Sequence, residues 1–362
     1  MRLHILSISL ALTAYASAPV APNSPNRDPR VDSIMNAAIR PMEPGGSVIV
    51  IRNGRIIHQA GYGLADLEKK VPNTPETLYH LASTGKQFTG MAIMMMKQQG
   101  LLQYSDPVSR HLPRLSRFSG VILLNMLHHV SGLPDYYEDT TGYNRLLALD
   151  STPDNADIVT LYESWGTPVP CCTGFLYNNA AYDLLGSLIE HKAGQSLDAY
   201  LRQRIFDPLG MTSTFSMPNP ARFADPRRAR GYDKEGEGWT VNDYDPFDEL
   251  VGSGSIYSSV RDLYLYDQAL YTDRLVPQAT LADAFTPITL TGGEVSHYGF
   301  GWDLGTTEGH EYTGHGGSWE GYLSYILRFP RTKFSVYVLL NRTDVRPKEL
   351  AGKIFEVFEP GL

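Results

Sequence analysis

A Ser-x-x-Lys motif at the start of a predicted helix lies in the stretch His80-Leu81-Ala82-Ser83-Thr84-Gly85-Lys86-Gln87-Phe88-Thr89-Gly90. Residues 91–96 follow as Met-Ala-Ile-Met-Met-Met and are apolar on every face, which is typical of a buried helix. Because residues i and i+3 lie on one face of a helix, the Lys86 ammonium can reach the Ser83 hydroxyl. The positive end of the helix dipole also favours negative charge in the first turn.

This pair of residues suits nucleophilic catalysis. A serine hydroxyl is a weak nucleophile that needs an adjacent base. A buried lysine can lose its proton, because desolvation disfavours the charged form. A motif this short also occurs by chance, so its interpretation depends on the rest of the chain.

Length and charge narrow the class of protein. The 362 residues are enough for a large core in one or two domains. The formal net charge is −8 and no run of Lys or Arg is present, so we expect no nucleic-acid partner. A negative charge also gives no help in collecting acidic substrates.

The N-terminal segment has the features of a secretory signal peptide, 1–16. A positive residue is followed by an apolar run, and we predict cleavage after Ala16, because cleavage after Ala18 would place a proline beside the scissile bond. An uncleaved interfacial segment is the alternative. The run is too short to span a membrane. We therefore expect an exported protein, secreted or periplasmic, with no integral membrane segment in the mature chain and a flexible leader, 17–29.

The two cysteines, Cys171 and Cys172, are neighbours and therefore cannot link distant parts of the chain. We expect two reduced, partly buried thiols. Adjacent cysteines without spaced histidines are not a zinc pattern. We predict no metal and no cofactor.

Periodicity predicts helices near both ends of the chain and through its middle. The predicted helices are 31–39, 83–100, 121–128, 155–165, 180–193, 197–205, 260–271 and 347–358. The predicted strands are 46–51, 56–62, 296–303, 309–315, 321–329 and 333–341. Asn53-Gly54 is a hairpin-turn signal between the first two strands, and residues 215–250 look like long loops.

These elements predict an α/β fold. Both chain ends supply strands to one antiparallel sheet flanked by helices, and the middle of the chain forms an inserted, mainly helical region. We expect a single domain, 30–360, with a sheet region of 30–80 and 290–360 and a helical region of 81–289.

Seven segments follow one another in the order known from one superfamily. They are 81–89 (nucleophile segment), 127–134 ("LLxHxSGLP"), 177–179 (Tyr-x-Asn), 208–211 ("PLGM"), 252–263 ("GGLxSTxxDL"), 298–302 ("YGxGW") and 314–317 (His-x-Gly). On these segments the sequence resembles the serine β-lactamase and penicillin-binding-protein superfamily, in its class C-like branch, over nearly the whole mature chain. That branch includes D-Ala-D-Ala carboxypeptidases, D-aminopeptidases, family VIII esterases and class C β-lactamases. The resemblance implies a β-lactamase/DD-peptidase-like catalytic domain.

The resemblance also implies roles for individual residues. Ser83 would be the nucleophile, and Tyr177 and Lys86 would share the general-base work on its proton. Side chains two apart in an extended segment point the same way, so Asn179 can face the same site and bond the substrate amide or Lys86. A tyrosine beside a lysine ammonium could ionise more easily. The sequence leaves open which of the two bases holds the proton.

A second group of residues would lie on the strand that borders the cleft. Gly316 and Gly317 would bind substrate, since glycine allows a close backbone approach. The backbone N–H groups of Ser83 and Ser318 would form an oxyanion hole, whose donors are each worth about 3 kcal/mol. His315 stands where β-lactamases usually carry lysine and is largely neutral at pH 7. If its charged form holds a substrate carboxylate, β-lactams should be hydrolysed poorly; a purely structural role is the alternative.

One segment departs from the family's pattern. Cys171-Cys172-Thr173 stands where the family often has Pro-Gly-Thr before its Tyr-x-Asn loop. The loop that carries Tyr177 is therefore expected to differ in shape, which affects substrate preference and not the chemistry.

Three other kinds of protein fit the sequence less well. An α/β-hydrolase needs Gly-x-Ser-x-Gly, and Leu81 occupies the first glycine position. A metallohydrolase needs His-x-x-x-His or a similar cluster, which the ten histidines do not form. A non-enzymatic sensor on a dead hydrolase scaffold would lack Ser83, Lys86 or Tyr177, and all three are present.

The resemblance therefore implies a secreted serine hydrolase that forms an acyl-serine intermediate on an amide or ester. A D-amino-acid peptide is the first choice of substrate, a small carboxylic ester the second and a β-lactam the third. A weak β-lactamase or a non-catalytic penicillin sensor is the remaining alternative. The expected partner is a small-molecule or peptide substrate.

Overall fold

The computed structural model of the protein describes residues 26–361. The strands in this range are β1 Gly46–Arg52, β2 Arg55–Tyr62, β3 Leu64–Asp66, β4 Val71–Pro72, β5 Tyr79–His80, β6 Phe215–Ser216, β7 Tyr232–Glu235, β8 Gly238–Val241, β9 Ile256–Ser258, β10 Ile288–Thr289, β11 Val295–Ser296, β12 Asp303–Thr307, β13 His310–Trp319, β14 Tyr322–Phe329 and β15 Phe334–Leu340.

The α-helices of the same part of the chain run from a short N-terminal helix to a longer C-terminal one. They are α1 Pro29–Ala38, α2 Lys86–Gln98, α3 Val108–His111, α4 Leu123–Leu127, α5 Thr140–Leu147, α6 Asn155–Ser164, α7 Asn179–Ala193, α8 Leu197–Leu201, α9 Asp207–Leu209, α10 Pro220–Phe223, α11 Val260–Ala269, α12 Gln278–Leu281 and α13 Pro347–Phe358.

The main sheet has six antiparallel strands in the order β12-β13-β14-β15-β1-β2. The first strand of the chain, β1, pairs with the last strand, β15, so that Val48 lies opposite Val338. Asn53 and Gly54 close the β1–β2 hairpin with φ angles of 51° and 76°, as a type I′ turn requires. The α/β class and the antiparallel sheet built from both chain ends are thereby confirmed.

The two faces of the sheet pack against different helices, because side chains alternate along a strand. Val48 and Val50 belong to a core that includes α1 and α13, whereas Ile49 and Ile51 belong to a core that includes α2 and α7. Residues 86–96 of α2 are all buried, as the all-round apolar pattern predicts. The helices that carry the candidate site are therefore fixed against the sheet.

The predicted strand 296–303 is wrong as a continuous element, because the chain leaves strand geometry between β11 and β12. Gly301 in this interval has a φ of 81°. A Cβ at Gly301 would lie 2.7 Å from backbone atoms of Lys86 and Gln87. The backbone at residue 301 can therefore approach the start of α2 only because this residue is glycine. The chain bends at this contact, which separates β11 from β12.

Residues 215–250, predicted as long loops, contain regular structure. They include β6, α10 and the β7–β8 hairpin, and β6 joins β5 and β9 in a small three-stranded sheet. The β7–β8 pairing runs from Tyr232↔Val241 to Glu235↔Gly238. The many Gly, Asp and Pro residues of this stretch lie in its turns. The strands between them are too short to show an alternating pattern in the sequence.

The predicted signal peptide and most of the predicted leader lie outside the described residues. Helix α1 begins at Pro29, with Asp28 as its N-cap, and the Asp28 N–H donates to Nδ1 of His58. Asp28 and Pro29, at the end of the predicted leader, thus contact β2 and open α1. Within residues 26–361, the helices are too short or too polar for any of them to cross a membrane.

Candidate active site

Ser83 lies in a tight 3₁₀ turn, Ala82–Gly85, directly before α2 begins at Lys86. Side chains three apart align in such a turn, which places Lys86 beside Ser83. Ala82 has a φ of 49°, a left-handed conformation that costs a non-glycine residue about 1–2 kcal/mol. The backbone before the predicted nucleophile is therefore held in an unfavourable conformation by its surroundings.

The Lys86 ammonium is buried and contacts three oxygen atoms. Its Nζ lies 3.2 Å from Ser83 Oγ, 2.7 Å from Asn179 Oδ1 and 2.6 Å from the Ser253 carbonyl oxygen. Burial lowers the pKa of Lys86 to about 7, although two nearby carboxylates oppose the shift. A lysine with this pKa is partly unprotonated at pH 7 and can accept the Ser83 proton.

Tyr177 and Asn179 both reach Lys86 from the start of α7. The Lys86 Nζ lies 4.8 Å from the centre of the Tyr177 ring. Asn178 between them has extended backbone angles and caps α7 by accepting from the Ala181 N–H at 2.7 Å. The predicted alternation of side chains therefore brings residues 177 and 179 to one site.

The pKa of the Tyr177 phenol is shifted in the direction opposite to the one expected from the sequence. Burial raises the pKa of Tyr177, and this outweighs the lowering effect of the nearby Ser83 hydroxyl. In the described part of the chain, Tyr177 Oη has no hydrogen-bond partner. The expectation that Lys86 would ease ionisation of this tyrosine is therefore wrong, and the phenol stays protonated near neutral pH.

His315 is buried on β13, with both ring nitrogens engaged. Nδ1–H donates to the Gly316 carbonyl at 2.6 Å, so Nε2 accepts from the Tyr298 hydroxyl at 2.8 Å. Burial, followed by the charge of Lys86, lowers the pKa of His315 to about 3. A neutral ring without a free N–H cannot hold a substrate carboxylate, which favours the structural role given as the alternative over a charged anchor at this position.

The stretch of β13 that carries Gly316, Gly317 and Ser318 forms an edge of the sheet beside Ser83. Strand β12 pairs with residues 310–314 of β13 and not beyond. A Cβ at Gly317 would lie 2.2 Å from the Leu81 carbonyl oxygen, so this glycine allows the strand to touch the nucleophile turn. The exposed Ser318 then stands next to Ser83, where the oxyanion hole is predicted.

Hydrogen bonds tie the nucleophile turn to the neighbouring strand β14. The Leu81 carbonyl accepts from Ser324 Oγ at 2.7 Å and from Thr84 Oγ1 at 2.8 Å. Both hydroxyls are buried. These hydrogen bonds, together with the absence of a Cβ on Gly317, therefore set the distance between Ser83 and β13.

Sequence reasoning missed a buried carboxylate that supports the site. Asp183 accepts hydrogen bonds from the Ser253 N–H at 3.0 Å and the Tyr136 hydroxyl at 2.7 Å. Burial raises the pKa of Asp183. Its position four residues after Asn179 on α7, and therefore on the same helix face, was the available signal.

Two cavities meet at Ser83 and Ser318. The small cavity, of about 60 Å³, is lined by His80, Ala82, Ser83, Tyr137, Asn179, Phe247, Ser253, Gly254, Ser255, Ser318 and Trp319. The large cavity, of about 620 Å³, is lined by Ser83, Tyr177, Asp303, His315, Gly316, Gly317, Ser318, Leu323, Ser324, Tyr325, Arg346, Pro347, Lys348 and Glu349.

The adjacent cysteines lie in the loop before Tyr177 and are not bonded to each other. Cys171 is exposed, which differs from the expectation of partial burial, and Cys172 is half-buried. Cys172 has a φ of 62°, at the position where the family pattern quoted in the sequence analysis has glycine. Burial raises the pKa of the Cys172 thiol to about 11. Residues 26–361 hold no cluster of side chains suited to a metal ion.

Comparisons with known proteins identify the family and the fold. The family model described as Beta-lactamase matches residues 35–357. Penicillin-binding protein 4* of Bacillus subtilis is 31% identical over 83% of this chain and 68% of its own length. The putative penicillin-binding protein PbpX of B. subtilis is 30% identical over 75% of this chain, and Protein flp of Staphylococcus aureus is 29% identical over 82%. The chain spans less than two thirds of these last two, 64% and 59% of their lengths.

Solved structures give the same assignment. The octameric penicillin-binding protein homologue from Pyrococcus abyssi has a TM-score of 0.78 at 27% identity, over 92% of this chain and 77% of that one. The D-amino acid amidase from Ochrobactrum anthropi SV3 has a TM-score of 0.75 at 26% identity, over 91% and 97%. With the fold, the segment order and these matches in agreement, the chain belongs to the β-lactamase family of the serine β-lactamase and penicillin-binding-protein superfamily.

Proposed function

We propose that the chain is a serine hydrolase that cleaves an amide of a D-amino acid, in a peptide or simple amide, through an acyl-serine intermediate at Ser83. One observation carries the proposal: Lys86 Nζ lies 3.2 Å from Ser83 Oγ in an environment that lowers its pKa to about 7. A lysine outside such a site would remain protonated at neutral pH.

The proposed reaction uses the two bases in different ways. Neutral Lys86 accepts the Ser83 proton as Oγ bonds to the substrate carbonyl carbon. The carbonyl oxygen becomes an oxyanion and is bound by the backbone N–H groups of Ser83 and Ser318. The bond to the leaving group breaks as its nitrogen receives the phenol proton of Tyr177, which Lys86 then restores. Water repeats the sequence on the acyl-serine.

The proposed substrate class rests on the relatives and on the large cavity. A D-amino acid amidase and penicillin-binding proteins are among the similar proteins. The large cavity carries Arg346 and Lys348 at its rim, and both side chains are exposed. Two carboxylates, Asp303 and Glu349, line the same cavity, and Arg346 is paired with Glu349 at 3.9 Å. The exposed Lys348 is therefore the group placed to attract a leaving-group carboxylate, a task that the neutral His315 cannot perform.

A small carboxylic ester is the second candidate substrate. The specific observation in its favour is the neutral, fully engaged His315 ring, because an ester leaving group needs no charged anchor. A β-lactam ranks third, and a penicillin sensor would be acylated without turnover. We also propose that the protein is secreted or periplasmic, which rests on the apolar segment 1–16.

A substrate panel tests the proposal. Purified protein is assayed with the p-nitroanilides of D-alanine and L-alanine, p-nitrophenyl butyrate and nitrocefin, and a fluorescent penicillin is used as a covalent label. We expect turnover of the D-alanine derivative above that of the L form, and a label on Ser83. Lack of both turnover and label in the folded wild-type protein would overturn the hydrolase proposal.

A further inference from the structure

His80 is a buried titratable residue near Ser83 that the proposed reaction does not use. It lies on β5, three residues before the nucleophile, and its side chain is 2% exposed. The ring lines the small cavity together with Ser83 and Ser318. A buried polar side chain costs free energy unless its polar atoms find partners, so the contacts of the two ring nitrogens indicate what this residue does.

The Nδ1 atom of His80 accepts a hydrogen bond from the Ala82 backbone N–H at 3.0 Å. Burial, followed by the charge of Arg228, lowers the pKa of His80 to about 3, so the ring is neutral at pH 7. Because a backbone N–H can only donate, the single ring proton must lie on Nε2. This bond to the N–H two residues later closes the same ring of atoms as the Asx-turn of asparagine and aspartate.

The Nε2–H group of His80 faces a buried carboxylate. Nε2 lies 3.6 Å from Oδ1 of Asp248, whose side chain is 1% exposed. Within residues 26–361, Nε2 has no hydrogen-bond partner, so it interacts with this carboxylate by charge attraction. Asp248 is itself held in place, because it accepts from the Trp319 indole N–H and from the Asp245 backbone N–H. The carboxylate therefore favours the ring tautomer that leaves Nδ1 free to accept.

The backbone of Ala82 depends on this acceptor. Ala82 is 3% exposed and has a φ of 49°, a conformation that residues with a Cβ rarely adopt. Without Nδ1, its N–H would be buried and unpaired, which native structures avoid. Rotation about the N–Cα bond of Ala82 would relieve both problems. The same rotation would swing Ser83 relative to the strand that carries Ser318.

The other backbone groups before Ser83 are bonded to strands. The Leu81 N–H donates to the Ile256 carbonyl at 2.7 Å, and the Leu81 carbonyl accepts from Ser324 Oγ at 2.7 Å. The Ser83 N–H is the proposed donor to the oxyanion and must stay available for it. The Ala82 N–H lies between these groups, so its bond to His80 sets the direction in which the chain enters the nucleophile.

We propose that His80 is a positioning residue, whose Nδ1 holds Ala82 in its left-handed conformation and thereby aims Ser83, while Asp248 keeps the ring in the required tautomer. The inference rests on the proposed acyl-serine hydrolysis and adds a residue that acts through the backbone of Ala82. Because Asp248 also binds Trp319, which lines the small cavity, the nucleophile turn and the cavity wall share one support.

Three variants of the full chain separate the two contacts of the ring. His80→Asn places an amide oxygen where Nδ1 lies and can form an Asx-turn with the Ala82 N–H. His80→Gln carries the same amide one methylene farther out, toward Asp248 and away from that N–H. His80→Phe loses both polar contacts but keeps a ring, which packs edge-on against Tyr257 at 4.9 Å in the wild type.

The measurements are kcat and KM for the best substrate of the panel, with urea unfolding as a measure of stability. Burial raises the pKa of Asp248 to about 7, so the assays are run at pH 8. A misplacement of about 1 Å costs on the order of 100-fold in rate. We therefore expect kcat to fall about 100-fold in His80→Gln and His80→Phe with KM within about threefold, and His80→Asn to keep kcat within about tenfold of wild type.

His111→Phe is the matched control. His111 is another buried histidine that faces a carboxylate, with Nε2 2.9 Å from Asp106 Oδ2, and it lines neither cavity of the site. This variant should lose stability and keep the wild-type kcat.

The comparison between His80→Asn and His80→Gln decides the inference even if His80→Phe does not fold. Equal kcat in the two amide variants, or a wild-type kcat in a folded His80→Phe, would overturn the positioning role while hydrolysis itself stands. No turnover of any panel substrate by the wild-type protein, with no label on Ser83, would instead reject the proposed function.

Discussion

Replacing Gly317 by alanine should separate the nucleophile turn from the strand that borders it. The new Cβ would lie 2.2 Å from the Leu81 carbonyl oxygen and 2.4 Å from Ser324 Oγ, whereas ordinary contact begins at 3.4 Å. The turn must therefore move by about 1.2 Å, the difference between 3.4 and 2.2 Å. Ser83 moves with it, away from Ser318.

Two quantities should change in this variant. A misplacement of about 1 Å costs on the order of 100-fold in rate, so acylation of Ser83 by a fluorescent penicillin should slow by about that factor. Overpacking costs about 1–3 kcal/mol, and the strained Ser324 hydrogen bond adds about 1 kcal/mol. The free energy of unfolding in urea should therefore fall by about 2–4 kcal/mol.

The neighbouring glycine provides the control. A Cβ at Gly316 would meet Tyr325 at 3.5 Å, an ordinary contact. Gly316→Ala should keep its unfolding free energy within about 0.5 kcal/mol of wild type and its acylation rate within about tenfold. Equal acylation rates in Gly316→Ala and Gly317→Ala would refute the reasoning, because the close contact would then not position Ser83.

Three further outcomes follow from the site. Ser83→Ala should fold normally and take no covalent label in intact-mass spectrometry; an adduct on that variant would assign the nucleophile elsewhere. Because Lys86 acts as a base only when uncharged and its pKa is lowered to about 7, kcat/KM should rise with pH from 5 to 8. The Asp183 charge raises that pKa, so Asp183→Asn should move the rise to lower pH, and an unmoved profile would contradict the assignment of Lys86. Replacing Cys171 and Cys172 by alanine should keep kcat within about tenfold, equivalent to 1.4 kcal/mol, whereas full loss of turnover in a folded variant would give the thiols a direct role.

Local patterns predict much of the fold and the nucleophile pair. The spacing of Ser83 and Lys86, the Asn53-Gly54 turn and the all-round apolar run of α2 each express a short-range rule, and each has its structural counterpart. Extended geometry similarly accounts for the side chains of residues 177 and 179 pointing the same way. These features depend on neighbours within four residues, which a sequence displays directly.

Features that depend on residues far away in the sequence cannot be predicted from local patterns. Burial, followed by the charge of Lys86, lowers the pKa of His315, and no local pattern reveals either cause. The ionisation of Tyr177 is set by burial in the same manner. The break at Gly301 reflects contact with the backbone of Lys86, more than 200 residues earlier in the chain.

The pairing of β1 with β15 has a consequence for the polypeptide while it is still being synthesised. The nucleophile is made early, at residue 83, but the strand beside it ends at Trp319 and the strand that joins the two halves of the sheet ends at Leu340. Contacts this distant in sequence form slowly, because long loops must close first. A growing chain would therefore hold Ser83 without Ser318, the second donor of the proposed oxyanion hole. On that proposal, the capacity to acylate would arise only once nearly all of the polypeptide is free to fold.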